Sequence, residues 1–244
     1  MFAVDAATGD LEWRSEGIGQ NRTHVPPMPT EERVFAHGNW GTAAYDRDSG
    51  EQLWESEFDG QVRPLLGDEQ LYLWDTSEGV GGNDTVAALD PETGEIEWTV
   101  QDETHFGRHG TSSPELTNDI LCVGSDHGRV HGIDVTAGER VWLHEGNEDT
   151  HVTSIAAYEG TFVVAFGTGP VKAFDAEQGE ILWTEFDDQL IISHERLVAI
   201  DPETGTIKWD SPNSGRSISS IRRARNRSSG FQRLAPLSTD PFRT

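Results

Sequence analysis

Six of the nine histidines, His105, His109, His127, His131, His144 and His151, crowd into one stretch of the chain. Neutral imidazole is a common metal ligand and a proton carrier near neutral pH. The pairs His105/His109 and His127/His131 are spaced i, i+4, which on a helix would turn both rings towards one ion. Residues 127–131 read instead as a turn entering a strand, where i and i+4 share a face but stand about 13 Å apart. The stretch is therefore read as loop and surface histidines, with Asp126 and His127 suited to a turn, and no metal site is expected. Cys122 is the single cysteine, so neither an internal disulfide nor a cysteine metal cluster can form. No G-x-S-x-G, phosphate loop, dinucleotide fingerprint or H-E-x-x-H occurs. Gly79-Val80-Gly81-Gly82 sits in a long connection over 75–85 and reads as a flexible linker, with a binding loop as the alternative. No catalytic residue is assigned.

Composition narrows the partners. The chain has 244 residues, 43 acidic and 18 basic, for a net charge of −25. A folded body this negative repels a phosphate backbone, so nucleic acid is not expected as its partner. There is no apolar run long enough to cross a bilayer as a helix. The start, Met1-Phe2-Ala3-Val4-Asp5, carries no signal-peptide pattern. Lys172 and Lys208 are the only lysines. Acid-rich, lysine-poor surfaces suit multimolar salt, where the Debye length shrinks to about 3 Å and carboxylates repel one another little. The composition is read as halophilic.

The elements that would position any site come from an internal repeat. Six segments share one pattern: AVDAATGDLEW (3–13), AYDRDSGEQLW (44–54), ALDPETGEIEW (88–98), GIDVTAGERVW (132–142), AFDAEQGEILW (173–183) and AIDPETGTIKW (199–209). Asp5, Asp46, Asp90, Asp134, Asp175 and Asp201 each begin a unit. Gly9, Gly50, Gly94, Gly138, Gly179 and Gly205 follow four residues later, and Trp13, Trp54, Trp98, Trp142, Trp183 and Trp209 follow eight residues later. An aspartate opening a tight turn can accept amide hydrogen bonds two and three residues on. Glycine supplies the positive φ that closes a bulged hairpin. The small residue two before each aspartate, alanine or Gly132, leaves room for a neighbouring layer. A tryptophan on the next strand can bury about 200 Å² between layers. These eighteen residues are read as a structural motif, not as general bases.

Upstream of the turns, Leu71–Trp74, Ile120–Val123 and Phe162–Phe166 read as buried strands. The aspartate spacings are 41, 44, 44, 41 and 26 residues. Four strands every ~40–45 residues is the size of a propeller blade. The pattern A-x-D-x-x-T-G-x-x-x-W resembles the tryptophan-docking motif of the PQQ-like repeat family over residues 1–210. That resemblance implies an all-β propeller of four-stranded antiparallel blades, commonly seven or eight in family members. It also implies a choice of functions. The family includes alcohol dehydrogenases that use PQQ and calcium, the propeller lipoprotein of outer-membrane protein assembly, and secreted proteins. The dehydrogenases carry adjacent cysteines, an aspartate base and a calcium held by Glu, Asn and Asp. Cys122 has no neighbouring cysteine, and only the structural motif matches, so no cofactor residue is carried over.

Expected blades are complete at 21–58, 59–101, 105–146 and 150–186, with partial units at 2–14 and 187–210. The ring is expected to be incomplete, four full and two partial blades. Residues 211–244 hold seven arginines, eight serines and one acid. They are expected to be a basic, disordered tail outside the 1–210 repeat domain. A further reading is an out-of-frame end on a fragment of a larger propeller. The expected function is a non-catalytic scaffold presenting loops to a protein or small ligand, with no cofactor. A PQQ- and calcium-dependent dehydrogenase is the alternative, and an incomplete propeller with no independent function, or one that associates with further blades, is the third. The compartment is not legible, although family members are often extracytoplasmic or on the cell surface.

Overall fold

The computed structural model describes residues 1–15, 26–38, 41–58, 64–75, 85–101, 112–125, 127–147, 150–167, 169–185, 196–201 and 203–212. These residues form six antiparallel sheets and no helix. Four sheets have four strands in sequence order. The first is β3 (Met28–Pro29), β4 (Arg33–Gly38), β5 (Gly41–Asp46) and β6 (Gln52–Ser56). The second is β7 (Leu65–Leu66), β8 (Leu71–Asp75), β9 (Thr85–Leu89) and β10 (Ile96–Gln101). The third is β11 (Glu115–Thr117), β12 (Ile120–Gly124), β13 (Val130–Asp134) and β14 (Glu139–His144). The fourth is β15 (Val152–Tyr158), β16 (Thr161–Phe166), β17 (Val171–Asp175) and β18 (Ile181–Glu185). Two-stranded units stand at either end: β1 (Phe2–Val4) with β2 (Leu11–Arg14), and β19 (Arg196–Ile200) with β20 (Ile207–Pro212). The four complete blades fall where the repeat places them. β20 runs to Pro212, two residues past the expected domain boundary at 210.

Burial within a blade follows strand position. β5, β9, β12 and β13 are buried along almost their whole length. A strand covered by sheets on both faces must be apolar on both, which is why their sequences run Val-Ala-Ala-Leu or Ile-Leu-Cys-Val rather than alternating. The last strands are largely exposed, with only Trp54 buried in β6.

The core is a series of interfaces between consecutive blades. Phe35, Ala44 and Trp54 pack on Leu71, Leu73, Ala87 and Leu89 of the next sheet. Tyr72, Trp74, Val86 and Ala88 pack on Leu121, Val123, Ile133 and Val135. Ile120, Cys122 and Val130 pack on Val152, Phe162, Val164 and Phe174. Each blade thus presents one face forwards and receives its predecessor on the other. The described sheets do not close into a ring, and Phe2 and Val4 of the first unit are exposed.

Candidate functional site

The repeat residues meet across these interfaces. Asp5 Oδ1 accepts from the amides of Ala7 and Thr8 at 2.9 and 2.7 Å. Asp46, Asp90, Asp134, Asp175 and Asp201 accept from the residues two and three positions on in the same way. Bonds to the ionised form lower a carboxyl pKa. The Thr8 amide holds Asp5 below the usual carboxylate range, the Ser49 hydroxyl holds Asp46, and the Thr93 amide holds Asp90. The carboxylates of Asp5, Asp46 and Asp90 are thus held in the ionised form by their own turns.

The glycines all have positive φ, from 65° at Gly138 to 77° at Gly9. Each hairpin carries a register shift beside the turn, as between Ala44 and Tyr45. The bulge lets the fourth strand bring its tryptophan across to the neighbouring blade. Trp54 Nε1 donates to the Pro91 carbonyl at 3.0 Å, Trp98 to Val135 at 3.1 Å and Trp142 to Ala176 at 2.7 Å. Trp13 donates to the Arg47 carbonyl at 2.7 Å. The acceptor always follows the next unit's turn aspartate. The same rings lie on the next unit's glycine. A Cβ on Gly94 would stand 2.5 Å from Trp54 Cε3, and one on Gly179 would stand 2.6 Å from Trp142 Cγ. Trp183 reaches Gly205 in the same manner. Trp209 lies in β20, opposite Ala199.

The small residue two before each aspartate packs against the next blade, as Ala44 does on Leu71 and Leu73 and Ala88 on Leu121 and Val123, and it has a second role. The small residue before each aspartate faces the tryptophan of its own blade: Ala44 pairs with Trp54, Ala88 with Trp98 and Gly132 with Trp142. A Cβ on Gly132 would collide with the Trp142 ring. The ring must cross its own hairpin before it reaches the next blade, and a small cross-strand residue gives it passage.

The histidines do not form one centre. His105, His109 and Asp126 lie outside the described residues, as does most of the 75–85 connection. His127 is in the turn before β13 and His151 precedes β15. His131 corrects the surface reading: it is fully buried in β13, at the repeat position that Ala43 and Ala87 occupy in their blades. His144, half-buried at the end of β14, stands 3.2 Å from Lys172 Nζ and edge-on to Phe174. Burial, then the Lys172 charge, push its pKa down, partly opposed by Glu145. A neutral imidazole so placed can accept from the ammonium. Sequence reading missed His37, which is buried with its pKa pushed down to about 4 by loss of solvent. Its Nδ1 meets the Thr42 hydroxyl at 2.5 Å, and that hydroxyl donates to the Phe58 carbonyl at 2.8 Å. No spacing signal marks His37, because it lies outside the turn–tryptophan pattern.

Among the described residues no three of His, Cys, Asp or Glu converge on a metal position. Cys122 is buried in β12, where loss of solvent pushes its thiol pKa well up, so it is not a ready nucleophile. Nor is any helix among the described residues long and apolar enough to cross a membrane.

The family model described as outer membrane protein assembly factor BamB, of the PQQ-like repeat type, matches residues 2–184. The chain belongs to this family. The factor from Yersinia pestis is 24% identical over 250 residues, with 85% of this chain and 60% of that protein aligned. This chain therefore spans about three fifths of that relative's length. The crystal structure of BamB from Moraxella catarrhalis superposes with a TM-score of 0.70 at 19% identity, covering 92% of this chain and 71% of that one. The quinohemoprotein alcohol dehydrogenase from Comamonas testosteroni superposes at 0.58 and 13% identity, covering 84% of this chain and 42% of the enzyme. Both likenesses are of fold. The PQQ-like propeller is thus shared by an assembly factor and an oxidoreductase.

Proposed function

We propose that the chain is a non-catalytic propeller scaffold that binds a protein partner, in the way the assembly-factor relatives are named for. The observation that carries this reading is where the repeat's polar groups are spent. All six turn carboxylates are engaged by backbone amides, and the indoles of Trp13, Trp54, Trp98 and Trp142 are engaged by the next unit's carbonyls. They build a frame and leave recognition to the connections at the blade ends. The high negative charge favours a partner surface rich in arginine and lysine. The relatives' name, outer membrane protein assembly factor, supports an extracytoplasmic assembly role for this chain. The acid-rich surface supports a protein adapted to high salt.

A photo-crosslinker placed at His127, in a blade-end turn, tests this in the native host. A discrete protein adduct that disappears under a competing basic partner is the expected result. Adducts to no protein, from this or any other blade-end turn, would refute it. Titration with PQQ and calcium tests the alternative. Saturable quenching of tryptophan emission followed by alcohol-dependent dye reduction would make the chain an enzyme.

A further inference from the structure

Lysine is scarce in this chain, Lys172 and Lys208 against 43 acidic residues, and Lys172 stands where the other complete blades hold no permanent charge. It lies three residues before Asp175, at the repeat position of Ala43, Ala87 and His131, which are fully buried. From β17 the half-buried Lys172 side chain reaches across to β14 of the preceding blade. Its Nζ sits 3.2 Å from His144 Nε2 and 5.5 Å from the centre of the Phe166 ring. His144 is held edge-on to Phe174, which in turn stacks on Trp142. Thr184 stands directly opposite Lys172 across the β17–β18 pair. Its side chain is therefore on the same face, with the two Cβ atoms about 5 Å apart. No Asp or Glu among the described residues lies within ion-pair distance of Lys172, although Arg33 and Arg129 find Glu92 and Glu145. Two basic side chains thus meet with no acid between them. An ammonium drawn half out of water costs free energy unless an opposite charge faces it. The Phe166 face and a neutral imidazole offset only part of that cost, since neither carries a negative charge.

We propose that Lys172, His144 and Thr184 form a binding site for a small carboxylate anion between the third and fourth blades. With 3.2 Å between them, the two nitrogens can meet the two oxygens of one carboxylate. Lys172 donates to one oxygen. His144, on taking up a proton, donates from Nε2 to the other, and the Thr184 hydroxyl is placed to add a third bond. Proton uptake follows from the charges. Burial and then the Lys172 ammonium hold the His144 pKa down, and an anion that neutralises Lys172 lifts the second of these. Glu145, the other charge that acts on His144, is tied to Arg129 at 3.2 Å and does not fill the place. A body of net charge −25 favours a singly charged ligand over a phosphate dianion. The Phe166 and Phe174 rings offer an apolar wall to the stem of an organic acid. The site does not depend on the scaffold reading, whose crosslinking test involves none of these residues.

The test exchanges chloride for acetate in the full chain at a constant multimolar potassium concentration, so that screening is unchanged. The His144 imidazole is followed through its pH titration by nuclear magnetic resonance and assigned with His144→Gln. The expected result is a titration midpoint higher in acetate than in chloride by about 0.5 pH unit or more. The Lys172 Nζ resonance, which has only that of Lys208 beside it, should shift over the same acetate range. Lys172→Met should abolish the acetate dependence and leave the far-ultraviolet circular dichroism spectrum unchanged, because Ala43 and Ala87 hold the same position without a charge. Should that variant fail to fold, the comparison of the two anions in the native chain decides alone. Equal midpoints in acetate and chloride would overturn the proposal. So would an acetate effect that survives Lys172→Met, since the anion would then act elsewhere. A rise of the same size with inorganic phosphate at equal potassium concentration would overturn the assignment to a carboxylate.

Discussion

Gly94→Ala and Gly9→Ala form a matched pair that isolates what the docked tryptophan contributes. Both glycines sit in the same turn with nearly equal φ, +74° and +77°, and each donates its amide to its turn aspartate at 2.8 Å. An alanine at either position incurs the left-handed backbone cost, about 1 kcal/mol. The surroundings differ. At Gly9 the added methyl meets nothing, while at Gly94 it would stand 2.5 and 2.6 Å from two atoms of the Trp54 ring. The ring must retreat by about 1 Å to reach ordinary contact. Overpacking of that kind costs about 1–3 kcal/mol. The shift also pulls Trp54 Nε1 from the Pro91 carbonyl, worth about 1 kcal/mol more. Gly94→Ala should therefore destabilise by about 3–5 kcal/mol and Gly9→Ala by about 1 kcal/mol or less. Urea unfolding in constant high salt, followed by tryptophan emission and circular dichroism, measures both. Equal losses within about 0.5 kcal/mol would refute the reasoning, since the ring's seat on the glycine would then carry no energy.

Trp142→Ala, which removes a ring stacked on Phe174 and bonded to Ala176, should cost about 3–5 kcal/mol in the same assay; Trp142→Phe should cost less but still strand the Ala176 carbonyl. His37 predicts a pH dependence with a definite sign. The native imidazole titrates near 4 and the unfolded one near 6.5, so the native state binds fewer protons between those values. The stability from keeping His37 neutral is intact above about 6.5 and is lost as pH falls to about 4, a change of about 3 kcal/mol. His37→Gln should flatten that part of the wild-type profile, and parallel profiles would refute it. Dilution from multimolar to about 0.1 M salt should lower the melting temperature, because the Debye length grows to about 10 Å and 43 acidic residues begin to repel. Removal of residues 213–244 should leave melting in high salt unchanged; a drop would show that the tail packs on the acidic body.

The sequence by itself determined the local geometry. An aspartate that bonds amides two and three residues on, and a glycine with positive φ two residues before the next strand, act within one turn and need no distant partner. Their fixed offsets therefore exposed the hairpins, and the ~40–45-residue period exposed the blades. Continuous apolar runs such as Ile120–Val123 marked strands covered on both faces. The third dimension decided everything that depends on which sheet lies on which. The Trp54 indole finds its acceptor 37 residues away, and no spacing within a unit names that carbonyl. His131 and Ala87 hold the same repeat position, so only the covering blade shows that the histidine is buried too. Val4 and Leu89 are likewise both apolar, in strands with the same pattern, yet one is half exposed and the other sealed. Hydrophobicity states what a face could bury, whereas burial requires a second surface to be there, and that surface is supplied by residues far along the chain or by another blade.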